Sequence, residues 1–134
     1  MTVQLGHDES YYAQRHINLD QRGTLIIDPE SQWGFNVTTI TLFHETPNWG
    51  ESGFTVPVVD RPVIVEKHTW IGSNSILYNC VIHEGAIVAL GSVVRSCKVA
   101  AWTMVEGNPA RVIARWQDGK WNYLEGQSKY RELR

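Results

Sequence analysis

VEKHTWIGSNSILYNCVIHEGAIVALGSVV, residues 65–94, places an aliphatic side chain about every six positions. The anchors are Val65, Ile71, Leu77, Ile82, Val88 and Val94, separated by steps of six, six, five, six and six. Four residues after most anchors stands a small side chain: Thr69, Ser75, Ala86 and Ser92. Upstream the frame continues through Ile27, Trp33 and Thr39, with Ser31 and Val37 in the small positions. Helical periodicity does not place anchors this way, and strand alternation does not require six. The pattern predicts an all-β coil of short strands joined by turns. Each strand sends one aliphatic side chain inward, onto the same position in the coils above and below. A small residue belongs at each tight corner, where a large one would collide. Gly72, Gly85 and Gly91 recur in register too, which a valine-rich antiparallel sandwich would not require. Six residues per face and about 18 per turn give roughly four coils between residues 27 and 113, once one loop is excluded.

The 134 residues are about one domain. Hydrophobic residues make up 43% and charged residues 19%, which points to a globular rather than a disordered chain. A net charge of −2 argues against an obligatory nucleic-acid partner, which needs a basic stripe. No run approaches the roughly 18 apolar residues of a membrane span. The opening residues MTVQLGHDESYYAQRH lack an apolar signal core, so a cytoplasmic location is expected. Cys80 and Cys97 lie in apolar β-like sequence and read as reduced, structural thiols. Within the single domain 1–134, residues 1–25 are polar and fit one short helix plus loop. Residues 26–113 hold the coil, with a loop at 45–58. Residues 114–134 interleave charges with Trp116, Trp121, Tyr123 and Leu124, broken by Gly119 and Gly126. They are expected to be a short, partly helical C-terminal segment packed by its aromatics.

The stretches Trp70–Ser75 and Glu84–Val94, followed by Val105-Glu106-Gly107-Asn108-Pro109-Ala110-Arg111-Val112-Ile113, resemble the hexapeptide-repeat acetyltransferases. The branch resembled is that of the sugar O-acetyltransferases of galactoside, maltose and colanic-acid type. Resemblance covers residues 26–113 and implies a left-handed parallel β-helix, closed by the Gly-Asn-Pro-Ala segment. It also implies transfer of an acetyl group from acetyl-CoA to a hydroxyl of a sugar-type acceptor, as in polysaccharide biosynthesis.

The repeat breaks between Thr39 and Val59, where Pro47, Gly50 and Gly53 mark a loop thrown out of a coil. His44 stands at its mouth, where the family has its catalytic histidine. Imidazole suits the chemistry: a base must take the hydroxyl proton as oxygen attacks the thioester, and the imidazolium can return it to the leaving thiolate. A backbone N–H would serve the oxyanion. Glu45, where the family often has aspartate, either orients the imidazole, holds the loop or is a solvated carboxylate. Asn36 is read as a turn residue or as part of the acceptor site. Trp49 and Phe54 either stack on a sugar ring or pack the loop down. His7 and His16 read as solvated N-terminal residues, and His68 and His83 as strand or turn residues.

The resemblance implies that acetyl-CoA lies along coil edges between neighbouring subunits of a homotrimer. A threefold ring would also cover the load of six tryptophans. Ser73, Leu90, Gly91 and Ser92 match groove positions, although Leu90 replaces the usual alanine. Arg95 stands for a typical threonine and Ser96 for a lysine, so the charge for the CoA phosphates falls to Arg95, Arg111 or Arg115. No metal is expected. The γ-class carbonic anhydrases share the fold, and the five-residue step Ile76–Cys80 resembles their short turn. They hold zinc through histidines where this chain has Ser73 and Tyr78. A non-catalytic scaffold or binding module on a decayed repeat is the remaining alternative.

Overall fold

The computed structural model describes residues 1–45 and 57–127. Strand β1 (Val3–Gln4), helix α1 (Glu9–Gln14), β2 (Leu25–Ile27), β3 (Gln32–Trp33), β4 (Thr38–Ile40) and β5 (Leu42–His44) lie before residue 46. After residue 56 come β6 (Val58–Asp60), β7 (Val63–Val65), β8 (Trp70–Ile71), β9 (Ile76–Ile82), β10 (Ile87–Val88) and β11 (Val93–Val99). The chain continues through β12 (Thr103–Gly107), β13 (Ala110–Gln117) and β14 (Lys120–Tyr123). No helix among the described residues is long and apolar enough to cross a membrane.

The strands stack as three parallel ladders. The first joins β1, β2, β7 and the second halves of β9 and β11. A second joins β3, β8, β10 and β12. The third joins β4 to the first halves of β9 and β11. Strands β9 and β11 serve two ladders because each turns midway, at Asn79 (φ 47°) and Ser96 (φ 51°). The left-handed backbone at one residue makes a tight corner there, and a short polar side chain tolerates it.

That corner changes the expected period. Val63 pairs with Cys80 and Cys80 with Cys97, while Trp70 pairs with Ile87 and Ile87 with Met104; each step is 17 residues rather than 18. The five-residue step from Leu77 to Ile82 is therefore the regular consequence of a one-residue turn. Leu25 pairs with Val63, a step of 38, and the additional residues include β5 and β6.

Every anchor read from the sequence points inward. Val65, Ile71, Leu77, Ile82, Val88 and Val94 are at most 1% exposed, and Ile27, Trp33 and Thr39 at most 4%. Burying each such aliphatic side chain contributes about 1.5–3 kcal/mol. The small corner positions are buried too, and several do more than save space. Ser31, Thr69, Ser92 and Thr103 each donate a hydroxyl to the carbonyl three residues earlier, at 2.7, 2.8, 2.6 and 2.5 Å. These hydroxyls thereby bond to corner carbonyls within the turn itself. Cys80 lies in the same core, where burial pushes its thiol up to about 12; Cys97, its cross-strand neighbour, is exposed.

Residues 1–25 cap one end. Tyr12 is buried, with its hydroxyl donating to the Leu5 carbonyl and its pKa raised by desolvation. The Trp33 N–H, on the edge strand of the second ladder, donates to the Tyr11 hydroxyl at 2.9 Å. His7 is not solvated as expected. Its ring stacks on Tyr11 at 4.0 Å, and Nε2 donates to the Ser31 carbonyl at 2.8 Å. His16 is exposed.

The opposite end corrects the expectation of a partly helical C-terminal segment. Strand β13 folds back antiparallel on β12 around Asn108-Pro109, a cis peptide, and β14 pairs antiparallel with β13. The second reversal turns on Asp118 (φ 54°) and Gly119 (φ 75°), the two left-handed residues of a type I′ hairpin. Trp116 sits opposite Trp121 with ring centroids 5.5 Å apart, a cross-strand pair that favours the ribbon over a helix.

Candidate active site

His44 ends β5, which leaves the coil and pairs antiparallel with β6 in a separate two-stranded ribbon. The register sets Leu42 opposite Asp60, Phe43 opposite Val59 and His44 opposite Val58. His44 is exposed. The preceding Phe43 packs on Tyr78 of the third ladder, centroids 4.7 Å apart, so the ribbon's root rests against the scaffold.

Two carboxylates hold that root. Asp20 Oδ2 accepts the Thr41 N–H at 2.9 Å and the Leu42 N–H at 3.3 Å, two residues before His44. Arg22 grips the same carboxylate through Nε at 2.8 Å and NH2 at 3.0 Å. On the return strand, Asp60 accepts the Thr24 N–H at 2.8 Å and its hydroxyl at 2.5 Å. The Arg61 N–H then donates to the Thr41 carbonyl at 2.7 Å. Asp20 and Asp60 were not singled out from the sequence; neither belongs to a repeat or a recognisable spacing. Glu45 faces Arg61 across the root at 4.0 Å, an exposed pair of little energetic weight.

The hydrogen bonds from Arg22 hold the Asp20 carboxyl below the usual carboxylate range. A depressed folded-state pKa stabilises the fold fully above about pH 4, the unfolded value, and that contribution is lost as pH falls further. Wild type should therefore lose thermal stability more steeply between about pH 4 and 2 than Asp20→Asn does. Melting temperatures across that range check it, and parallel curves would remove Asp20 as the clamp.

Ser73 and Leu90 line an open cleft of about 870 Å³ beside the second ladder, which Gly91 does not line. The Ser73 hydroxyl accepts the Phe35 N–H at 2.9 Å, and the Ser73 carbonyl accepts the Gly91 N–H at 2.8 Å. Leu90 is 74% exposed on the rim. A side chain at Gly72 would collide with the Leu90 backbone, its Cβ only 2.5 Å from the amide nitrogen. Ser92 does not line this cleft: it is wholly buried, and its hydroxyl is spent on the Ala89 carbonyl. Asn36 has φ 59° and donates its N–H to the Arg15 carbonyl, as a corner residue does.

Arg95 and Arg111 meet in a second cleft of about 370 Å³, with Ser96, Cys97, Pro109 and Ala110. Among the described residues neither guanidinium forms an ion pair with a carboxylate, and Arg111 donates to the Ala110 carbonyl at 3.2 Å. Arg115 lies elsewhere, opposite Thr103 and Asn122 on β13. His44 lines neither cleft within one chain. Trp49 and Phe54 lie outside the described residues. His68 and His83 face separate carboxylates, Glu30 at 3.2 Å and Glu66 at 3.1 Å.

No family model matches the chain. A stretch of 63 residues, 46% of the chain, is 41% identical to a 2,3,4,5-tetrahydropyridine-2,6-dicarboxylate N-acetyltransferase of Staphylococcus aureus, covering 26% of that protein. A hexapeptide-repeat acetyltransferase from Vibrio cholerae, solved with acetyl-coenzyme A, superposes with a TM-score of 0.64 at 22% identity, over 76% of this chain and 55% of that one. For a maltose O-acetyltransferase from Clostridium difficile the TM-score is 0.59 at 21% identity, over 76% and 67%. For an N-acyltransferase from Bacillus cereus, solved with dTDP and coenzyme A, it is 0.65 at 21%, over 76% and 58%. The fold is thus that of the hexapeptide-repeat acetyltransferases. The chain spans about a quarter of the Staphylococcus protein and little more than half of the Vibrio one.

Proposed function

We propose that the chain is an acetyl-CoA-dependent acyltransferase that acetylates a sugar-type hydroxyl directly, with His44 as general base. The observation that carries this is the position of His44. It stands exposed on a ribbon clamped to a parallel β scaffold shared with acyltransferases solved with acetyl-CoA or CoA. In this reading the coil is left-handed, with about four turns. Imidazole takes the acceptor proton as the oxygen attacks the thioester carbon, and the imidazolium then protonates the departing thiolate. The pantetheine arm follows the Ser73–Leu90 cleft, and Arg95 and Arg111 take a phosphate of CoA through bidentate hydrogen bonds. Because His44 lines neither cleft of its own chain, the site is completed between subunits, which favours the homotrimer. Trp49 is retained as a candidate to stack on the acceptor ring.

An amine acceptor is the second reading, favoured by the Staphylococcus relative being an N-acetyltransferase. Both are tested by supplying acetyl-CoA with a panel of neutral and amino sugars and following free thiol release. Product treated with neutral hydroxylamine distinguishes them, since esters are cleaved and amides are not. Thiol release with neutral sugars and a cleavable product is expected. A resistant product would transfer the assignment to N-acetylation, and no release with any acceptor would leave the scaffold alternative.

A further inference from the structure

Four of the six tryptophans converge on one groove of about 390 Å³, on the face where the first and second ladders meet. Trp70, Trp102 and Trp116 are 57, 41 and 41% exposed, and Trp121 closes the wall against Trp116. Trp102 holds φ 56°, a left-handed backbone that is an outlier for so bulky a residue. Its ring lies over Gly85, where any Cβ would come within 2.3 Å of it. The glycine thus keeps the indole laid along the groove. One wall is polar: His68 Nε2 and Glu30 Oε2 sit 3.2 Å apart. Among the described residues that line it, none is a lysine or arginine.

We propose that this groove binds a neutral oligosaccharide, at a site separate from His44. Exposed indole faces suit the C–H faces of pyranose rings, and the Glu30–His68 pair supplies an acceptor and a donor for ring hydroxyls. The charge pattern sets aside other occupants. A nucleic acid or other polyanion requires basic side chains, which the described lining does not supply, and it would face the Glu30 carboxylate. A protein partner's interface core is depleted in glutamate, whereas this groove places Glu30 beside its indoles. The volume is that of a small-molecule cleft. Trp70 and Trp121 also border the Ser73–Leu90 cleft, so a bound glycan would lie next to it.

The test needs no acetyl-CoA, so its outcome is independent of the acyltransferase reading. Intrinsic tryptophan fluorescence and calorimetry would be followed while the full chain is titrated with maltopentaose, cellopentaose and xylopentaose. Saturable binding of at least one is expected, with a shift of tryptophan emission. Trp102→Ala should weaken it about tenfold, the loss of one stacking contact. Glu30→Gln, an exposed change that leaves the fold intact, should weaken it several-fold, and His44→Ala should leave it unaltered. Wild type that binds none of the three overturns the proposal. So does sedimentation in which both Trp102→Ala and Glu30→Gln dissociate a stable oligomer, because a second copy would then be the occupant.

Discussion

His44→Ala should lower the turnover number for acetyl transfer by about 10²–10⁴-fold, the usual range for loss of a general base. Its fold should be unchanged. The side chain is exposed, and the backbone of β5 is held by the β6 pairing, Asp20 and the Thr41–Arg61 hydrogen bond, none of which needs the imidazole. The KM for acetyl-CoA should move little, since the clefts at Ser73–Leu90 and Arg95–Arg111 do not include His44. The measurement is steady-state thiol release with the preferred acceptor, accompanied by a melting curve. A variant that folds and turns over at the wild-type rate would remove His44 from the mechanism, whatever becomes of the acceptor.

Leu77→Ala should cost about 2–5 kcal/mol of folding free energy, a large share of the roughly 5–15 kcal/mol typical of a domain. Leu77 is fully buried in the middle of the third ladder, with Thr39 on one side and Val94 on the other. Truncation would open a void against both neighbours, and a stack of short strands has little freedom to collapse into it. Leu90→Ala is the matched control. Its side chain is mostly solvated, and removing it should change stability by no more than about 0.5 kcal/mol. Urea unfolding of the two variants decides the matter: equal midpoints would mean that the aliphatic column is not the core.

The column was legible because burial in a stacked coil is enforced at every rung. A misplaced anchor would meet two neighbours, so the aliphatic and small positions from Ile27 to Val94 follow the fold closely. Position 44 stood out through the break in the repeat, and in the fold it ends β5, where the chain leaves the coil. What escaped was non-periodic. Asp20 acts through backbone N–H groups at residues 41 and 42, and a single carboxylate 21 residues upstream leaves no spacing to detect. Ser92 carries two readings. The repeat puts it at a small corner position and the family resemblance in the groove; its hydroxyl donates to the Ala89 carbonyl, as the corner position implies. The C-terminal ribbon was readable in principle. Asp118-Gly119 between two aromatic-bearing runs is a hairpin signal of known type, and the charged residues around it drew the reading toward a helix.

The capping of the first rung bears on solubility. A stack of parallel strands is in principle endless: each exposed edge offers N–H and C=O groups in the register that a further rung would use. Here Tyr11 takes the Trp33 N–H, and β1 occupies the free side of β2. At the far end the reversal into antiparallel β13 and β14 abandons the parallel register altogether. Among the described residues, the N-terminal cap and the ribbon that ends the second ladder thus withhold the register that head-to-tail growth would use.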